Sequence, residues 1–214
     1  VPPSPFDRPE WFALLAETRP GAVFKDAQAG DKRAAMALNR TEHGYEALKN
    51  WYAFTWRPDV AAGSEGDALL AQLARDLKRE AARVTLAPLP DEDGSATRLA
   101  RAFQAAGWAI ALEPCDENHV LHVKGRSFAE YWATRPGKMR TTYKRKAKKV
   151  DVEIFEHFDA SIWQAYENIY AESWKPSEDE PDLLRRFAEA EGAAGRIRLG
   201  IARKDGEPVA AQFW

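Results

Sequence analysis

From Asp151 onward the apolar residues change period repeatedly, and the order of those changes narrows the fold more than anything else in the chain. Val152–Phe158 reads as a strand. Asp159 then caps a helix with Ile162, Tyr166, Ile169, Tyr170 and Ser173 on one face, ended by Pro176. A second helix opens at Pro181, a favoured first-turn position, and carries Leu183, Leu184 and Phe187. Ile197, Leu199 and Ile201 alternate with Arg198, Gly200 and Ala202, which is the period of a strand. Asp205-Gly206 is a strong hairpin turn, and Pro208–Trp214 is the returning strand. The sequence therefore predicts strand, helix, helix, strand, hairpin, strand: a mixed α/β (α+β) unit.

Upstream, helices and strands are mixed as well. Trp11–Glu17 reads as a short helix, and Ala22–Ala27 and Ala34–Arg40 as strands joined at Ala29-Gly30-Asp31. Asn50–Arg57, aromatic and containing Thr, reads as a further strand. A loop holding Gly63 and Gly66 leads into a helix to about Ala82 with Leu69, Leu70, Leu73 and Leu77, where Ser64 and Asp67 resemble a capping box. Arg83–Leu89 reads as a strand, Ser95 opens a helix stopped by Gly107, and Trp108–Glu113 with His119–Lys124 alternate as an antiparallel pair.

Between the two patterns lies a run of cations: Lys138, Arg140, Lys144, Arg145, Lys146, Lys148 and Lys149, with no acidic residue from Tyr131 to Val150. The whole chain has a net charge of only −2, so this is local positive potential of the kind that attracts phosphate-bearing ligands. Met139, Tyr143, Ala147 and Val150 recur at helical spacing, which predicts an inward stripe with Tyr143 in a core and the cations outside. An amphipathic membrane-surface helix is disfavoured by the stripe's lack of a Leu, Phe or Trp cluster.

Composition closes off other classes. At 214 residues and 45% hydrophobic, the chain can bury a normal core. One cysteine, Cys115, excludes an internal disulfide and reads as a buried, inert thiol in a cytoplasmic protein. No apolar run reaches the roughly 20 residues of a membrane span. His119 and His122 point to opposite faces of an expected strand, His43 and His157 are isolated, and no metal site is assigned. Asp91-Glu92-Asp93 reads as a solvated turn, and Glu178-Asp179-Glu180 as complementing a helix dipole.

Three blocks carry a resemblance: Tyr131 to Val150, Ile169-Tyr-Ala-Glu-Ser-Trp-Lys175, and Arg196-Ile-Arg-Leu-Gly-Ile201 with Asp205-Gly-Glu-Pro-Val-Ala-Ala-Gln-Phe-Trp214. Together they resemble the CelD-type GNAT acetyltransferases of cellulose and exopolysaccharide biosynthesis, bacterial relatives of the FemAB aminoacyltransferases. The resemblance implies tandem GNAT-like halves with mixed, largely antiparallel sheets flanked by helices. Residues 1–20 would be a lead, 21–126 a degenerate first half, 127–150 a basic connecting helix region, and 151–214 the first part of a second half. It implies acyl transfer from acetyl-CoA or another acyl-CoA to an amine or hydroxyl of a small-molecule or carrier-linked acceptor, glycan- or lipid-related. In that family the thioester and pyrophosphate sites would follow Trp214, so the chain reads as cut short, with an exposed last strand open to dimer pairing. The Gly63/Gly66 loop is no substitute, because Glu65 and Asp67 would repel a pyrophosphate.

No catalytic residue stands out. Arg140 and Lys144, on neighbouring helical turns, are candidates to reach a phosphate of the acceptor carrier or donor, as a basic position in FemAB relatives does. Lys175, expected to end a helix just before Pro176, is a candidate substrate contact; Gln212 and Trp214 would face the acceptor groove. Two other readings stay open: a non-catalytic module binding an anionic polysaccharide or, less well suited, nucleic acid through the basic helix, and a FemAB-like aminoacyltransferase.

Overall fold

The computed structural model describes residues 4–115, 117, 119 and 121–214. The chain divides into two compact units, Val1–Glu117 and Asn118–Trp214.

In the first unit, α1 (Pro9–Thr18) precedes three antiparallel strands, β1 (Ala22–Ala29), β2 (Lys32–Thr41) and β3 (Gly44–Ala47). The short β4 (Asp59–Val60) pairs with β2. The helix α2 (Gly63–Glu80) crosses over to β5 (Arg83–Thr85), which runs parallel to β3, and α3 (Ser95–Ala105) follows. Leu69, Leu70, Leu73 and Leu77 of α2 are buried together with Leu38 and Trp56, the apolar face that the leucine spacing predicts.

Four expectations fail in this unit. Asn50–Arg57 forms no strand: the Asn50 side chain accepts the backbone N–H of Tyr52 at 3.1 Å, turning the chain. Trp56 then drops into the core, its indole N–H donating to the Ala37 carbonyl at 2.9 Å. Ser64 does not cap α2; Ala62 holds that position without a side-chain bond. Asp67 instead accepts from the Arg98 guanidinium of α3 at 2.5 Å. Trp108–Glu113 is not a strand either. Trp108 leaves α3 by donating its indole N–H to the Ala74 carbonyl, 2.8 Å away, and Ile110 and Leu112 beyond it are exposed. Cys115 at the end of this stretch is therefore exposed, not buried. Of its expected partner His119–Lys124, Val120 lies outside the described residues, and the rest carries no strand.

The second unit begins with α4 (Phe128–Ala133) and α5 (Gly137–Lys146). Its sheet has three antiparallel strands in the order β6 (Asp151–Phe155), β7 (Leu199–Lys204), β8 (Glu207–Phe213), with α6 (Ala160–Ala171) and α7 (Pro181–Ala193) between β6 and β7. Asp205 and Gly206, at φ 53 and 88, make the tight turn between β7 and β8. Asp159 caps α6 as its position predicts, accepting the N–H groups of Ser161 and Ile162 at 2.8 and 3.0 Å. The Ser161 hydroxyl, then those two N–H groups, hold its carboxyl below the usual carboxylate range.

One face of the sheet is covered. Leu199 and Ile201 are buried on it, and Phe213 in the same register meets Trp163 of α6 edge-on at 5.2 Å. Trp163, absent from the helix face read off the sequence, is the residue of α6 that is fully buried. The opposite face, with Val152, Ile154 and Trp214, is exposed, and β8 pairs with β7 alone among the described strands.

Phe158 joins the helices to this core. Its ring lies 5.8 Å from that of Trp163, and its backbone nitrogen and Cα sit against Gly192 of α7 so closely that a Cβ there would come within 2.6 and 3.0 Å of them. Gly192→Ala should therefore destabilise the protein by about 1–3 kcal/mol through forced separation of α7 from this segment. A lower urea midpoint at unchanged m would show it; an unchanged midpoint would mean the contact is not constraining.

Candidate functional site

The five candidate side chains fall in three places. Lys175 lines a cleft of ≈ 350 Å³ between α6 and the start of α7. Trp163, Tyr166 and Tyr170, three and four residues apart, project into it from one face of α6. The Lys175 ammonium stands over the Tyr170 ring at 5.4 Å, a cation–π contact. Helix α6 ends at Ala171, so Lys175 lies beyond the helix and not in its last turn. Its position follows from the ring beneath it, not from a helix dipole.

Carboxylates tie this cleft together. Glu167 accepts the Trp163 indole N–H at 2.7 Å and faces the Arg185 guanidinium of α7 at 3.5 Å. Glu178 accepts from the Tyr170 hydroxyl, so its carboxylate serves the cleft as well as the approach to α7. Burial, then the negative charges of Glu178 and its neighbours, push the Tyr166 hydroxyl far above its ordinary range; the same causes raise Tyr170, burial first and the Glu178 bond next. Both phenols are thus neutral hydrogen-bonding groups at physiological pH, not bases.

Gln212 and Trp214 lie on the other side of the sheet. Side chains alternate along β8, and since Phe213 faces α6, its neighbours face away. Trp214 pairs with Arg198 through two backbone hydrogen bonds of 2.8 and 2.9 Å. Its ring covers Gly200, where a Cβ would lie 3.3 Å from it. The side-chain-free Gly200 is what lets the indole lie flat on the sheet. Lys175 and the Gln212–Trp214 pair are therefore separated by the sheet and do not share one cavity.

Arg140 and Lys144 are on α5, exposed, and neither makes an ion pair among the described residues. The expected inward stripe of this helix is absent: α5 has no buried residue, and Tyr143 is 57% exposed. Tyr143 lies edge-on to Trp132 of α4 in place of a core contact, and beyond Ala147 the run continues only as a 3-10 turn.

The Gly63/Gly66 segment is occupied by its own structure. Gly66 packs against the Ala61 carbonyl, to which Arg98 also donates at 2.8 Å. Among the described residues no group of three or more His, Cys, Asp or Glu side chains could hold a metal ion. No described helix is long and apolar enough to cross a membrane.

The sequence pattern puts Tyr166 and Tyr170 on one face of α6, while it takes the fold to bring Trp163 and Glu178 to the same cleft. The i, i+3, i+7 spacing of the three rings was the available signal.

Burial of Tyr166 has a measurable consequence. Because its folded value lies above the 10.0 of a free phenol, its contribution is complete below that value. It is lost as pH rises, since the unfolded chain ionises first. Urea midpoints should fall from about pH 9.5 upward, and Tyr166→Phe should flatten that fall. An identical alkaline slope in the variant would show that Tyr166 does not titrate late.

No curated protein and no solved structure matches the chain. Residues 137–214, the stretch that contains α5, the three-stranded sheet and the helices α6 and α7, match the family model of an acetyltransferase (GNAT) domain.

Proposed function

We propose that this protein is an acyltransferase of the CelD type, moving an acetyl or other acyl group from acyl-CoA to an amine or hydroxyl of a glycan- or lipid-related acceptor. The observation that carries the reading is the coincidence of the β6–α6–α7–β7–β8 order with the family match over residues 137–214. Residues 21–126 would be its degenerate first half and residues 151–214 the first part of its second.

The reaction needs little from side chains. The acceptor lone pair attacks the thioester carbonyl, the C–S bond breaks, and CoA leaves as the thiol, carrying the proton the acceptor loses. Orientation and stabilisation of the transient oxyanion supply most of the acceleration, which suits a sheet without an obvious base. Gln212 and Trp214 are assigned to the acceptor, because the first is exposed and the second offers an indole face beside it. Arg140 and Lys144 are assigned to a phosphate of the acceptor carrier or donor, a role for which exposed cations without ion-pair partners are suited. Lys175, across the sheet from Gln212 and Trp214, is assigned a separate substrate contact in the α6–α7 cleft, apart from the acceptor they hold.

Release of free CoA thiol from acetyl-CoA by the full-length protein, measured with amino sugars and lipid-linked amino sugars as acceptors, tests this. Acceptor-dependent release is expected, with Gln212→Ala and Trp214→Ala each lowering kcat/KM for the acceptor by about tenfold, the loss of roughly one hydrogen-bonding or stacking contact. Transfer from aminoacyl-tRNA in place of acyl-CoA would replace this reading with a FemAB-like one. Thiol release that no acceptor alters would defeat it.

A further inference from the structure

The helices α4 and α5 form an aromatic and cationic surface that the sheet and its cleft do not use. Phe128 and Trp132 stack at 5.8 Å on α4, and Trp132 meets Tyr143 of α5 edge-on at 5.0 Å. Trp132, Met139 and Tyr143 line an open groove of ≈ 610 Å³ between Lys138 and Lys146. Phe128 is 70% exposed and Met139 46% exposed. The α5 stripe alone lacks a Phe or Trp; α4 supplies both.

Cations surround this apolar strip. By helical spacing Lys138 and Lys146 flank it on one side, and Arg140 and Lys144 on the other. None of these four, nor Arg145, Lys148 or Lys149, makes an ion pair among the described residues. The acidic residue of α4, Glu130, is turned back onto the Ser127 hydroxyl and N–H in a capping box. Nothing within the surface neutralises the cations, and its long side chains can lay their stems along the rings with the charges outermost.

We propose that α4 and α5 dock on an anionic lipid bilayer, with Phe128, Trp132, Met139 and Tyr143 entering the interface and Lys138 and Lys146 meeting lipid headgroups. Charge complementarity selects an anionic partner. A lipid is favoured over a nucleic acid because the exposed apolar groups include Met139 and a Phe128 already stacked on Trp132, which is unavailable to a base on that face. Rings at the interface with cations beside them are the composition of a helix lying in the headgroup layer. This inference does not depend on the acyl-transfer reading.

Co-sedimentation of the protein with phosphatidylcholine vesicles, with and without phosphatidylserine, tests it. Binding is expected to the phosphatidylserine vesicles and to fall with added salt. Lys138→Gln with Lys146→Gln should weaken it about 25-fold, at about fivefold (1 kcal/mol) for each cation near the surface. Phe128→Ser with Met139→Ser should weaken it about tenfold or more; both side chains are exposed, and an unchanged circular dichroism spectrum verifies that the fold survives. Three results would overturn the proposal: no sedimentation with phosphatidylserine vesicles, sedimentation unaffected by both double substitutions, or release from the vesicles by a single-stranded oligonucleotide that binds more tightly through the same residues.

Discussion

Trp163 holds the second unit together. Its indole is 1% exposed, with Phe213 of β8 on one side, Phe158 from the β6–α6 connection on another, and Tyr166 at 4.8 Å along its own helix. Its N–H does not go unanswered in that apolar setting, because Glu167 accepts it one turn along. Glu167 in turn faces Arg185 of α7, which also reaches Glu189. One side chain thus fastens the sheet to α6 by packing and α6 to α7 by a relay of charge. A buried aromatic with a satisfied polar end is among the stronger fixings available to a small core.

That fastening gives the unit two unlike sides. On the helix side the rings of α6 enclose a cleft with neutral phenols and carboxylates already engaged. On the open side Trp214 lies over Gly200, and Val152 and Ile154 are exposed on the same face. Acyl transfer of the kind proposed calls for an acceptor to approach a sheet edge, and the open side is where Gln212 and Trp214 are accessible. The exposed cations of α5 form a separate surface of the same unit.

Glycines show how tightly local geometry is set. Gly192 permits the close approach of Phe158 to α7, and Gly200 permits the indole of Trp214 to rest on the sheet. Neither is in a turn, so neither announces its purpose in the sequence. Gly206 does, because an Asp-Gly pair between alternating runs has few uses other than a hairpin.

Much of the fold was legible because period and punctuation agree. The leucines of α2, the Asp159 cap, Pro181 at the head of α7 and the Asp205-Gly206 turn each act within a few residues, and short-range physics decides them. The order of strands and helices after Asp151 follows from those signals. Tertiary structure decided what depends on distant partners. Asn50–Arg57 has the composition of a strand, but Trp56 gains more from a buried indole bonded to Ala37 than from a ladder. Tyr143 has the spacing of a core residue, yet it stands exposed and pairs instead with Trp132 of α4. Sequence thus determined which segments are helix or strand wherever the controlling contacts are local; which faces are buried, and which cations stand unpaired, only the folded chain could decide, because those contacts join residues far apart along it.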